Sequence, residues 1–113
     1  MKLADIVSRV VIDPRKLSEY VLDPGSPWGR HKAIIFEQML GFTRENYVNL
    51  LTQVETQALN AEATFHSRDQ FGRRYTVDLL INGTEGRQAV VRTGWLVPHG
   101  GDEARLVTLY VRR

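Results

Sequence analysis

In the second half of the chain, apolar and polar residues alternate with a period of two, as in strands that bury one face. The alternation is clearest over residues 73–81, which place four apolar side chains on one side: Tyr75, Val77, Leu79 and Ile81. Similar stretches cover residues 62–68, 87–97 and 104–111. The breaks between them are short and rich in Gly, Asn, Asp and Pro, so they predict hairpin turns and an antiparallel meander.

The first half follows the helical period instead, with apolar residues three and four positions apart. This pattern predicts a helix that begins at Pro14 and ends before Pro24, a second over residues 29–40 and a third over residues 44–59. Residues 7–12 are rich in β-branched side chains, which favours a short strand or an extended lead-in.

Helix-end signals support these boundaries. Asp13 before Pro14 is typical of a helix start, because Asp caps free N–H groups and Pro suits the first turn. Gly41 is placed to end the second helix in the left-handed conformation that glycine adopts most easily. Thr43 is placed to cap the third helix.

Helices followed by strands indicate an α+β fold. We therefore predict a single domain over residues 1–113, with two to three N-terminal helices packed on one face of a C-terminal four-stranded antiparallel sheet. The apolar positions predict that Val91, Thr93 and Trp95 share one face, and that Leu106, Thr108 and Tyr110 share a face opposite Arg105.

Composition limits the possible functions. The chain has no cysteine, which excludes disulfides and thiolate metal sites. Asp5 and Arg9 interrupt the apolar N-terminus, and no apolar run reaches the roughly 18 residues of a membrane span, so we expect a cytoplasmic protein without membrane contact. Twelve of the 15 basic residues are Arg, which suits phosphate recognition, although codon usage in a GC-rich genome would give the same bias.

Three groups of residues resemble an uncharacterised bacterial and phage domain family of this length. The first is a Lys-Leu…Tyr-x-Leu…Pro segment: Lys16, Leu17, Tyr20, Leu22 and Pro24. The second is a Gly-x-x-Lys-Ala-x-x-Phe…Leu-Gly-Phe helix: Gly29, Lys32, Ala33, Phe36, Leu40, Gly41 and Phe42. The third is Arg-Thr-x-Trp with Arg-x-Val-Thr-x-Tyr: Arg92, Thr93, Trp95, Arg105, Val107, Thr108 and Tyr110. The resemblance implies the domain and carries no activity, and residues 25–27 depart from the family's usual Pro-Asx-His-Pro.

The predicted layout is also similar to that of small metal-independent ribonucleases of the barnase, colicin and RelE type. Those enzymes combine a helical N-terminal part with a four-stranded antiparallel sheet. The similarity is one of architecture, which by itself does not determine function.

The strongest local signal for chemistry is at the start of the second helix. Gly29, Arg30 and Lys32 would form an anion-binding site there, because free N–H groups and the helix dipole favour negative charge. His31 at the same place is favoured as a neutral general base. The alternative is an ordinary basic helix start, solvated or neutralised by a carboxylate from elsewhere in the chain.

Two functional classes follow. The first is a non-catalytic interaction module that binds a protein encoded by a neighbouring gene, or another copy of itself, through an apolar or edge-strand patch. The alternative is a metal-independent ribonuclease or RNA-binding toxin-like domain. It would use His31 as base, His66 or His99 as acid, and Lys32 and Arg92 as cations. No histidine has metal-ligand spacing, so we expect neither a metal nor another cofactor.

Overall fold

The computed structural model describes residues 1–27 and 29–113 of the chain. A short strand, β1 (Arg9–Val11), precedes a six-residue π-helical segment, Lys16–Val21. Two α-helices follow, α1 (Arg30–Leu40) and α2 (Tyr47–Gln57). Four strands complete the order: β2 (Ala63–Asp69), β3 (Gly72–Asn82), β4 (Gln88–Pro98) and β5 (Glu103–Val111). The predicted α+β class is therefore confirmed.

The sheet has five strands in the order β1-β5-β4-β3-β2. Strands β2 to β5 form the predicted antiparallel meander, but β1 adds a fifth strand parallel to β5, so the sheet is mixed. The prediction of four antiparallel strands is wrong in this respect. The prediction fails because the partner of β1 lies 94 positions away in the sequence. Arg9 of β1 donates to Glu103 of β5 at 2.8 Å. The local pattern of residues 7–12 does not indicate that pairing.

One face of the sheet packs against the helices and forms the core. The four alternating residues of β3 are all buried, as predicted: Tyr75, Val77, Leu79 and Ile81. Val91, Thr93 and Trp95 of β4 lie on the same buried face, also as predicted. We call the opposite side the open face; its polar side chains on β3 are Arg74, Thr76 and Asp78, which are half-buried.

Strand β5 departs from the predicted alternation. Gly94 pairs with Thr108, but Trp95 pairs with Leu106, so Val107 is an extra residue in a β-bulge. A bulge changes which face the following residues occupy. Leu106 is buried, whereas Tyr110 is exposed on the open face opposite Arg92. The prediction that Leu106 and Tyr110 share a face is therefore wrong.

Helix α1 begins one residue after the predicted Gly29 and ends at Leu40, as predicted. Gly41 follows in the left-handed conformation, with φ of 74°, and its N–H donates to Glu37. Just before the helix, the Ser26 hydroxyl accepts a hydrogen bond from the Gly29 N–H at 3.2 Å. The sequence does not indicate this bond.

Helix α2 begins at Tyr47, three residues later than predicted. The Asn46 side chain causes the delay: it accepts from the Thr43 N–H at 2.7 Å and donates to the Gly41 carbonyl at 3.1 Å. These bonds hold the α1–α2 corner in an irregular turn. Leu50 of α2 is fully buried and Val48 is exposed.

Across residues 1–27 and 29–113, no helix combines the length and apolar character needed to span a membrane.

Candidate functional site

A groove with both polar and apolar lining crosses the open face of the sheet and has a volume of about 350 Å³. All four strands of the meander contribute to it. Its polar lining comes from His66 of β2, Arg74 and Thr76 of β3, Arg92 of β4, and Thr108 and Tyr110 of β5. A second depression beside it shares His66, Thr76 and Arg92, so these three side chains lie near the middle of one continuous polar surface.

Two β-bulges place side chains in the groove. In β2, Phe65 pairs with Tyr75 and Ser67 pairs with Arg74, which leaves His66 as the extra residue. In β5 the extra residue is Val107, which also lines the groove. Bulges redirect side chains and are frequent beside functional sites. Each interruption of the meander's register therefore falls at the groove.

Gly94 keeps the groove open between the two bulges. A Cβ at this position would lie 3.0 Å from Cγ2 of Thr108 on the neighbouring strand. Any larger side chain would project from the open face of β4 into the same space, because Gly94 lies between Arg92 and Leu96 in the alternation. The glycine thus preserves room for a ligand group between β4 and β5.

Arg92 is held in a fixed orientation by Asp78. Its Nε and Nη2 donate to the two carboxylate oxygens at 2.9 and 3.0 Å, in the two-point geometry that arginine favours. Arg112 adds a third bond to Asp78 at 3.0 Å. The hydrogen bond from Arg92 holds the pKa of Asp78 below its usual range, and Asp78 in turn raises that of Arg92. The three groups together carry one net positive charge.

Lys32 reaches the same region from α1. Its Nζ donates to the Thr108 hydroxyl at 2.8 Å and lies 5.8 Å from the centre of the Tyr110 ring. A cation at this distance from an aromatic face is attracted by the ring. Desolvation lowers the pKa of Lys32, because the ammonium group is half-buried. Lys32, Thr108 and Tyr110 therefore form a small polar cluster at the β5 end of the groove.

The fold places the predicted site residues in different parts of the molecule. His66 and Arg92 line the groove, and Lys32 bonds to Thr108 at its β5 end. His31 is exposed on α1 and lines none of these depressions, and His99 lies in the β4–β5 loop, where its Nε2 is 3.2 Å from the Asp69 carbonyl. No structural geometry supports catalytic roles for His31 and His99, which stay predictions.

The predicted anion site at the helix start has a different environment from the one expected. Gly29 is buried against the π-helical segment, because a Cβ there would lie only 1.7 Å from the Tyr20 carbonyl oxygen. This close packing by itself explains why a glycine stands at position 29, and no bound ligand is needed to explain it. Arg30 is exposed, and the first turn of α1 contains no acidic residue to neutralise it. The anion-binding role of Gly29, Arg30 and Lys32 stays a prediction.

Tyr110 and Asp78 are the site residues that sequence reasoning missed. Asp78 lies on the polar side of the strand pattern with Arg74 and Thr76, and a polar stripe on a central strand is the signal that could have found it. Tyr110 could not be found in this way, because the bulge at Val107 moves it to the open face.

The groove combines an imidazole, a phenol and ion-paired arginines on a concave surface. An imidazole can accept or donate a proton near neutral pH, and fixed cations stabilise developing negative charge. This set is suited to proton transfer at a phosphate ester.

Comparisons with known proteins agree with this fold. The sequence model of a family described as "Domain of unknown function (DUF6883)" matches residues 2–113. A solved structure described as a contact-dependent growth inhibition toxin–immunity protein complex from Klebsiella pneumoniae 342 contains a similar chain, with a TM-score of 0.68 and 15% sequence identity. The match covers 96% of this chain and 98% of that chain, and at this identity it shows a shared fold. A comparison with curated proteins found no match.

Proposed function

The chain belongs to the DUF6883 family of domains of unknown function, and for this member we propose a metal-independent ribonuclease activity with the open-face groove as its active site. The observation that carries the proposal is that His66, Arg92 and Tyr110 line one groove, with Lys32 bonded to Thr108 at its edge. These residues come from four different elements, so the grouping does not follow from nearness in sequence.

The proposed reaction is transesterification of RNA. His66 takes the proton of the ribose 2′-hydroxyl, the 2′-oxygen attacks phosphorus, and the bond from phosphorus to the 5′-oxygen breaks. Tyr110 donates a proton to the leaving 5′-oxygen, which gives a 2′,3′-cyclic phosphate and a 5′-hydroxyl. Arg92 and Lys32 stabilise the extra negative charge on the phosphorane. In this assignment His66 replaces His31 as the base.

The similar chain belongs to a toxin–immunity protein complex, which is compatible with a toxin-like role and equally with an immunity protein that binds its partner. The sequence pI of about 9.2 favours an anionic ligand over a cationic one. Because the groove also holds an imidazole and two arginines, we rank the ribonuclease ahead of the interaction module.

Three matched histidine variants test the assignment. We expect purified protein to cleave RNA in the presence of EDTA, and His66→Ala to slow cleavage by about 100-fold, the usual contribution of a general base. His31→Ala and His99→Ala remove the same side chain outside the groove and should cleave at close to the wild-type rate. Activity that disappears with EDTA, or a His66→Ala enzyme as fast as the wild type, would contradict the proposal.

The interaction module remains the second candidate because of the edge strand β2. Phe65 is 55% exposed on this strand, and Phe71 is 58% exposed in the turn that follows it. Exposed aromatics at a sheet edge favour contact with a protein partner. This reading expects a tight complex with the product of a neighbouring gene, or a homodimer, and no effect of His66→Ala on cells. Growth arrest that depends on His66 and is relieved by the neighbouring gene would favour the ribonuclease.

A further inference from the structure

A third space, different from the groove and from the depression that shares His66, lies beside the groove and shares part of its wall. It has a volume of about 210 Å³. Val107 and Thr108 of β5 line both cavities. The remaining polar lining comes from Lys16 and Tyr20 of the π-helical segment and from Lys32 of α1. We call this space the lysine cavity.

Tight packing at Gly29 brings the two lysines to one cavity. Gly29 sits against the Tyr20 carbonyl, at a distance that leaves no room for a Cβ. The π-helical segment and the start of α1 therefore approach closely, although Lys16 and Lys32 are a full 16 positions apart in sequence. The contact explains why this chain places two ammonium groups along the same space.

The charge balance differs between the two cavities. In the groove, Arg92 is paired with Asp78 and Arg74 with Asp69, at 2.9 and 2.6 Å. Within residues 1–27 and 29–113, neither lysine of the lysine cavity lies within 4.0 Å of a carboxylate oxygen. Lys32 instead donates to the neutral Thr108 hydroxyl. Within the described residues, the two lysines thus bring positive charge that forms no salt bridge to the space beside the groove.

We propose that the lysine cavity binds a second phosphate group of the same RNA chain, so that the preferred substrate is single-stranded and extends past Thr108 from the groove. This inference rests on the proposed function, because it assigns the first phosphate to the groove. Because Val107 and Thr108 line both spaces, the ligand backbone must turn over this short part of β5 to occupy both. A flexible single strand can make this turn, whereas a double helix is stiff on this scale.

Binding of a non-cleavable probe tests the cavity independently of catalysis. Oligothymidylates of two to six nucleotides lack the 2′-hydroxyl and cannot react by the proposed mechanism. We expect their affinity for the wild-type protein to rise in a step once the strand is long enough to reach Lys16. Each lysine–phosphate contact on a single strand contributes about 0.7 to the slope of log affinity against log salt.

Lys16→Gln should therefore remove the step and reduce the slope by about 0.7. Lys16→Arg keeps the charge and should keep the step. Lys2→Gln is the matched control, because it makes the same change at an exposed lysine that does not line the cavity. Thermal melts check that the variants are folded, and Lys16→Met serves as a second neutral variant if Lys16→Gln is unstable.

The outcomes separate the two proposals. If the affinity step is lost in Lys16→Gln and kept in the control variant, the lysine cavity is supported. This holds even if the wild-type protein cleaves no RNA, a result that would overturn the ribonuclease proposal and leave the cavity intact. Cleavage in EDTA that depends on His66, together with unchanged binding by Lys16→Gln, would overturn the cavity alone. An equal loss in Lys2→Gln would show general charge attraction, and equal binding of a short duplex would refute the single-strand preference.

Discussion

Replacing Thr93 with Val tests the hydrogen-bonded centre of the core directly beneath the groove. Thr93 is fully buried, and its hydroxyl donates to the Val77 carbonyl at 2.7 Å while accepting from the Trp95 indole N–H at 2.7 Å. Val keeps the shape of Thr but cannot make either bond. The indole N–H would then be buried without a partner, because Trp95 is only 1% exposed.

The cost can be estimated from these contacts. A buried donor without an acceptor costs about 1–3 kcal/mol, and the lost bond to the Val77 carbonyl adds about 1 kcal/mol, so Thr93→Val should lower the free energy of unfolding by about 2–4 kcal/mol. The unfolding entropy is about 2.1 cal/mol/K per residue, which for 113 residues converts the loss into a Tm decrease of about 8–17 °C.

Thr93→Ser is the matched control. It retains the hydroxyl and deletes one methyl group, which should cost about 1 kcal/mol. Urea unfolding followed by tryptophan fluorescence measures both variants and reports on Trp95 at the same time. If Thr93→Val and Thr93→Ser were equally stable, the hydroxyl would not hold the indole, and the assigned bond network would be wrong.

Three further predictions concern the helix end, acid stability and anions. Gly41→Ala should lower the free energy of unfolding by about 1 kcal/mol, because alanine is strained in the left-handed backbone conformation. The new Cβ would also clash with the Thr84 hydroxyl. Thermal melts of Gly41→Ala in a Thr84→Ala background isolate the backbone contribution. Asp78→Asn should destabilise the protein at neutral pH, and because the native pKa of Asp78 is lowered, the difference should be lost as the pH falls below the ordinary range of an aspartate and through that native pKa. Sulfate should raise the Tm more than chloride at equal ionic strength, and Arg30→Ala with Lys32→Ala should abolish this difference; an equal effect of both salts would exclude the predicted anion site.

The sequence predicts most of the architecture because local patterns determine it. The strand β3 is an example: four alternating apolar residues and a polar opposite side indicate both its bounds and its buried face. Gly41 is another, since a left-handed helix end needs a residue without a Cβ. These features depend on neighbours a few positions away.

The features that the sequence does not predict depend on distant partners. Strand β1 pairs with β5, which lies almost at the other end of the chain, and the local sequence of β1 does not indicate which strand it pairs with. The start of α2 is set by the Asn46 side chain, which bonds back to Gly41 and competes with the helix for the backbone.

The candidate site could be predicted only in part, for the same reason. Arg92 and Lys32 were identified from charge and position, and the structure brings them to one region. His66 reaches the groove through a bulge, and Tyr110 reaches the open face through another. A bulge adds one residue to a strand, and a period-two pattern cannot show where that residue is inserted.

The parallel pairing of β1 with β5 has a consequence for the order of folding. Joining Arg9 to Glu103 closes a very long loop, which costs chain entropy before any contact repays it. The hairpins that connect β2 to β5 close over only a few residues, so the meander can assemble first and β1 can dock onto its finished edge. Most of the groove is built from these local hairpins, with Lys32 added by α1. Sequence drift in the N-terminal strand can therefore change the stability of the sheet edge while the groove keeps its arrangement.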